Sequence, residues 1–101
     1  KGNCPDIRNT KIIDLVGELE SFGCNVDVSD PLADPDLCSS EYALELISKP
    51  KKSFYDAIII AVDHVYYSDL GEKKIRSFGK KSHVLYDLKN VLPLGEADLR
   101  L

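Results

Sequence analysis

Tyr55-Asp56-Ala57-Ile58-Ile59-Ile60-Ala61-Val62 is the stretch on which the fold turns. Its last six residues are apolar without a break and rich in β-branched side chains, the length of a strand. The run falls far short of the roughly 18 to 20 apolar residues that a helix needs to cross a bilayer. Side chains alternate along a strand, so an unbroken apolar run puts apolar groups on both faces. That pattern suits the centre of a parallel sheet covered on both sides.

Downstream, Leu70, Ile75 and Phe78 recur among charges over residues 65–78 and predict a surface helix, weakened at Gly71 by about 1 kcal/mol relative to Ala. Gly79 and Lys80-Lys81 are expected to end it, residues 82–86 read as a further short strand, and the tail after Pro93 reads as irregular. Upstream, residues 42–47 fit either a helical turn or a strand, and residues 30–36, with two prolines and three aspartates, read as a loop. Val26 and Val28 alternate with Asn25 and Asp27 and predict a strand over residues 24–29. Over residues 10–22, Ile12, Ile13, Val16 and Leu19 share one helical face, with Asn9 or Thr10 as N-cap and Gly23 placed for the closing left-handed turn.

Strand and helix thus alternate, which requires crossover connections and a mostly parallel sheet: an α/β, three-layer Rossmann-like domain. A strand feeding the first helix is missing, and it is expected upstream of Lys1, with residues 1–8 as its exit loop. The 101 residues are one small domain on length alone, and a chain with no Met that begins at Lys1 reads as a fragment of a longer protein. Ligands of such sheets sit beyond the carboxyl ends of the strands, here at Asp30-Pro31, Asp63-His64 and Asp87-Leu88-Lys89.

With 44% apolar and 30% charged residues the composition is that of a soluble globular protein. Seventeen acidic against 13 basic residues give a net charge of −4, which argues against nucleic acid as partner, and no stretch suits a membrane. Cys4, Cys24 and Cys38 contain no CxxC pair, so neither a disulfide framework nor a zinc site is expected, and a reducing cytoplasm is the expected compartment.

The chain has no GxG pair, hence no dinucleotide fingerprint and no phosphate-cradling loop. Asp6 and Arg8 stand just ahead of a helix start, where amide groups favour an anion; from local sequence alone the more ordinary alternative is that Arg8 pairs with Asp6 or faces water. His64, His83 and Cys4 have no catalytic partner at an interpretable spacing and read as structural, and Asp63-His64 is too isolated for a metal site. The strand-end aspartates suit either a ribose contact or ordinary loop capping. Lys89 follows a strand end on the ligand side, where a cation can meet a phosphate or simply be solvated.

Lys1-Gly2-Asn3-Cys4-Pro5-Asp6-Ile7-Arg8-Asn9-Thr10-Lys11, with Gly23, Asp30-Pro31, residues 55–64 and Tyr86-Asp87-Leu88-Lys89-Asn90-Val91-Leu92, resembles the C-terminal UDP-binding domain of the UDP-glucose/GDP-mannose dehydrogenase family. Within it the opening looks most like the branch acting on UDP-N-acetylhexosamines for surface polysaccharides, including the Vi-antigen type. The resemblance implies a four-electron oxidation of the sugar C6 hydroxyl to a carboxylate, with two NAD reduced and a thioester on a cysteine of a motif absent here. Lys1 then matches the lysine that contacts the UDP-sugar, and Arg8 the arginine of a DxR loop that reaches NAD. Lys89 matches a position where some relatives place an arginine on the nucleotide-sugar, and a lysine there lacks the bidentate fork.

The expected partners are therefore a UDP-sugar and the rest of the same enzyme chain, in a homo-oligomer. NAD is expected to be held mainly by an N-terminal domain that this sequence lacks, so residues 1–101 alone are expected to be inactive. The competing reading is a freestanding Rossmann-like interaction or regulatory module, since a fold does not fix a function.

Overall fold

The structure, a computed structural model, describes residues 10–30, 46–61 and 65–100. The chain forms two compact units, Lys1–Pro50 and Lys51–Leu101.

In the first unit, α1 spans Thr10–Ser21. Ile12, Ile13, Val16 and Leu19 are half-buried while Asp14, Glu18 and Glu20 are exposed, as the periodicity predicted, and Leu15 is half-buried as well. The helix closes at Gly23, whose φ is +90°. The Gly23 N–H donates to the Glu20 carbonyl at 3.0 Å and the Cys24 N–H to the Leu19 carbonyl at 3.1 Å, the paired bonds of a Schellman cap. The N-cap, Asn9 or Thr10, lies outside the described side chains. The strand expected over residues 24–29 shrinks to a single parallel bridge, Val28 to Leu46, with the Ile47 N–H donating to the Val28 carbonyl at 2.9 Å. A strand exists only through its neighbours, and among the described residues Val28 has this one partner.

The second unit holds β1 (Tyr55–Ile60), α2 (Val65–Leu70), α3 (Glu72–Arg76), β2 (Gly79–Asp87) and β3 (Leu99–Arg100). The strands form one sheet in the order β1-β2-β3, all parallel, which bears out the α/β reading. Among the described residues β2 is the middle strand of the three.

Ile60, Ile75, Leu85 and Leu92 are buried, with Ile58, Tyr67, Leu70, Val91 and Ala97 packed against them. One sheet face is thus sealed by α2, α3 and the segment after β2. The other face carries Ala57, Ile59, Val84, Tyr86 and Leu99, of which Ala57, Val84 and Leu99 are exposed. Burial on both faces of β1 is therefore not observed among the described residues.

The single helix expected over residues 65–78 is two short ones, broken at Gly71 with φ +87° and ψ 156°. A helix interior cannot contain that conformation, and glycine adopts it without a Cβ penalty. Gly79, expected to end the helix, instead opens β2. A Cβ on Gly79 would lie 2.4 Å from the His83 ring, so the two residues are mutually fitted. Between them the register slips: Tyr55 pairs with Gly79 but Ala57 with Val84, leaving residues 80–83 opposite Asp56 alone. His83 closes this excursion through Nδ1, which donates to the Lys80 carbonyl at 2.6 Å. The tail after Pro93, read as irregular, supplies the two-residue strand β3, a length below what pattern reading detects.

Candidate functional site

Because β1, β2 and β3 are parallel, their carboxyl ends, Ile60, Asp87 and Arg100, share one edge of the sheet. The Leu88 N–H donates to the Ile60 carbonyl at 3.0 Å and joins the exit of β2 to the end of β1. The loop that follows is organised by Asp87, whose side chain is fully buried. Asp87 Oδ1 accepts from the Lys89 N–H at 3.2 Å and the Val91 N–H at 3.1 Å, and Oδ2 from the Leu92 N–H at 2.9 Å. A buried carboxylate is tolerable only with such partners. Of the two readings open for this aspartate, ribose contact or loop capping, the geometry realises the second. It also seats Leu92 and Val91 in the core.

Lys89 rides on this loop and is exposed, with no side-chain partner among the described residues. Asn90 beside it has φ +57°, a left-handed conformation that asparagine tolerates. Asn90 Oδ1 accepts from Arg100 Nε at 3.0 Å, and the Leu92 carbonyl accepts from Arg100 Nη1 at 3.0 Å. Two cations, one on the exit loop and one on β3, therefore meet at the carboxyl-end edge. Lys1 and Arg8, the other expected contacts, lie outside the described residues, as do Cys4, Cys38 and Asp63-His64. Among the described residues no group of three or more His, Cys, Asp and Glu is arranged to hold a metal, and no helix is long and apolar enough to cross a membrane.

β3 is held in place by Arg76, a residue that sequence reasoning did not single out. Its Nε donates to Glu72 Oε2 at 2.6 Å, Nη1 to Asp98 Oδ2 at 3.1 Å, and Nη2 to Asp98 Oδ1 at 3.0 Å and to the Glu96 carbonyl at 2.9 Å. His83 Nε2 lies 3.2 Å from Nη1. Since Nδ1 must donate to the Lys80 carbonyl, Nε2 is the acceptor, and all five guanidinium N–H groups are satisfied. Asp98 Oδ2 also accepts from the Leu85 N–H at 2.8 Å. The Asp98 carboxyl is held below its ordinary range, first by the Arg76 hydrogen bonds and next by the Leu85 N–H, against partial desolvation. The same bonds with Asp98 raise Arg76 above its already high value, against desolvation and with help from Glu72. An Asp 22 positions downstream carries no local signal for an arginine, so sequence alone offered no route to this pair.

Over residues 1–93 the chain matches the UDP binding domain of the UDP-glucose/GDP-mannose dehydrogenase family. The chain belongs to this family. Over its whole length it is 52% identical to a UDP-N-acetyl-D-glucosamine 6-dehydrogenase of Salmonella typhi and 45% identical to one of Pseudomonas aeruginosa, covering 24% of each. Over 99 residues it is 32% identical to Protein CapL of Staphylococcus aureus, covering 98% of this chain and 23% of that protein. The chain thus spans about a quarter of the length of these relatives. No solved structure matches it. The family membership expected from residues 1–11 and the strand-end segments is borne out, as is the kinship with dehydrogenases of UDP-N-acetylhexosamines.

Proposed function

We propose that this chain is the nucleotide-sugar-binding domain of an NAD-dependent UDP-sugar 6-dehydrogenase acting on a UDP-N-acetylhexosamine, UDP-N-acetylglucosamine first among the candidates. The observation that carries the reading is 52% identity across the entire chain to a relative of that name, together with the family match to a UDP binding domain. In the whole enzyme the sugar CH2OH would become a carboxylate with water consumed, two NAD reduced and three protons released. The carboxyl-end edge supplies what a UDP diphosphate needs: the exposed ammonium of Lys89, presented by a loop whose own carboxylate, Asp87, is turned inward and satisfied. Lys1 is proposed as a second cation for the same UDP-sugar.

NAD does not fit this chain as its main site. The chain contains no GxG pair to bring backbone amides against a dinucleotide pyrophosphate. The cofactor and the thiol that takes part in the chemistry are assigned to the remainder of the enzyme, a homo-oligomer in this reading, with Arg8 the one proposed contact from this chain. Its own contribution is binding and orientation of the nucleotide. The test is NADH formation by the full-length enzyme with UDP-N-acetylglucosamine and with UDP-glucose, followed by absorbance, alongside calorimetric titration with UDP. Turnover with the N-acetylated sugar and saturable UDP binding are expected; no turnover with either sugar and no UDP binding would overturn the reading.

A further inference from the structure

We infer that Arg100, brought to the carboxyl-end edge by β3, is a further cation of the nucleotide site and supplies the bidentate contact to the diphosphate that Lys89 cannot make. The family match ends at residue 93, so it does not reach this position. The inference rests on the reading of this edge as the UDP site and extends it to a residue outside the matched region.

The placement comes from register. Arg100 pairs with Asp87, the residue that ends β2 and opens the Lys89 loop, so both cations stand at the same end of neighbouring parallel strands. Its orientation comes from two hydrogen bonds, Nε to Asn90 Oδ1 and Nη1 to the Leu92 carbonyl, each 3.0 Å long. These hold the guanidinium against the loop that presents Lys89. They use two of its five N–H groups and leave three, both Nη2 hydrogens among them, without a protein acceptor among the described residues.

Arg76 in the same unit makes the contrast. All five of its N–H groups have acceptors, and its role is complete within the protein. Arg100 is held at Nε and Nη1 and keeps three N–H groups, both on Nη2 among them, for an external oxyanion. Its restraint matters energetically, because a guanidinium already fixed loses less side-chain freedom on binding than a free one. Asp87 does not oppose an anion here, since its carboxylate is buried on three N–H groups of the loop. Lysine at position 89 brings charge without a planar fork, and Arg100 supplies the fork from the adjacent strand.

The full-length enzyme and its Arg100→Gln, Arg100→Lys, Asn90→Gly and Lys89→Gln variants are titrated with UDP and with uridine at two ionic strengths. Glutamine carries its amide nitrogen where arginine has Nε and can still donate to Asn90 Oδ1, and glycine keeps the left-handed turn at position 90 while removing that acceptor of the guanidinium. The expected result is a UDP dissociation constant raised about tenfold by Arg100→Gln and less by Arg100→Lys and Asn90→Gly, with uridine affinity unchanged and the salt sensitivity of UDP binding reduced. Equal UDP affinity in the parent and Arg100→Gln, with Lys89→Gln still weakened, would overturn the role of Arg100 and leave the site standing. Equal losses for UDP and uridine would make Arg100 a structural latch and overturn the inference. Absence of UDP binding by the parent enzyme would overturn the site itself.

Discussion

Replacing Asp87 by Asn is isosteric and removes one charge at the point where β2 becomes the nucleotide-side loop. The carboxylate accepts three backbone N–H groups, from Lys89, Val91 and Leu92, and is wholly buried. An amide offers one oxygen. If that oxygen faces Lys89 and Val91, its NH2 meets the Leu92 N–H; if it turns, two N–H groups lose their acceptor. Hydrogen bonds to a charged group contribute about 1.5–3 kcal/mol each, and a buried N–H left unpaired costs about 1–3 kcal/mol. Loss of one or two such contacts puts the local destabilisation at about 2–4 kcal/mol. Hydrogen exchange of the peptide spanning residues 88–92, read by mass spectrometry in the full-length enzyme, should therefore accelerate by roughly 30- to 700-fold, at about 1.4 kcal/mol per factor of ten. UDP affinity should fall as well, since the loop carries Lys89. Unchanged exchange in this peptide would refute the assignment of Asp87 as the group that fixes the loop.

Other perturbations read different parts of the molecule. Lys89→Ala should raise the UDP dissociation constant and lessen its salt dependence, while Lys89→Arg should match or improve on the parent; titration calorimetry of the three proteins checks this, and equal affinities would make Lys89 a solvated surface residue. Gly79→Ala should drive the His83 ring out of its place, 2.4 Å from the new Cβ, and cost about 1–3 kcal/mol in denaturant unfolding, with loss of the His83 Nδ1 proton signal bonded to Lys80. Asp98 is depressed in the folded state, so its stabilisation is present above the ordinary carboxyl range and lost as pH falls through the lowered value. Asp98→Asn should accordingly be less stable than the parent at neutral pH, with the gap in unfolding midpoints narrowing from about pH 5 downward.

What could be read from the sequence was whatever one segment decides for itself. The apolar stripe of α1 and the glycine that closes it are set within 14 residues, and both stand where periodicity put them. β1 was visible as an unbroken apolar run, although its neighbours, and hence its burial, depend on strands elsewhere. The two-residue β3 and the Arg76–Asp98 pair depend on contacts across 13 to 22 positions, where no local pattern exists. Gly71 was recognised as a weak point and turned out to be a break, because its positive φ ends one helix and begins another. At the candidate site, Lys89 was legible through its position after a strand and through the family motif. Asp87 was ambiguous because ribose contact and loop capping need the same residue, and only the direction of its carboxylate separates them. Arg100 was not singled out, since its relevance arises from a register that the tail does not announce.

The Arg76 cluster also bears on where this domain can be cut. The match to the family's UDP binding domain ends at residue 93, a natural place to terminate an expression fragment. A fragment ending there would discard Glu96 and Asp98, and with them the acceptors of three of the five guanidinium hydrogens of Arg76, as well as the carboxylate that pairs with the Leu85 N–H on the central strand. Ala97, which packs on the core, would go too. The folding boundary thus runs past the end of the domain match, and a shortened protein that precipitates would report a misplaced end, not an unstable family.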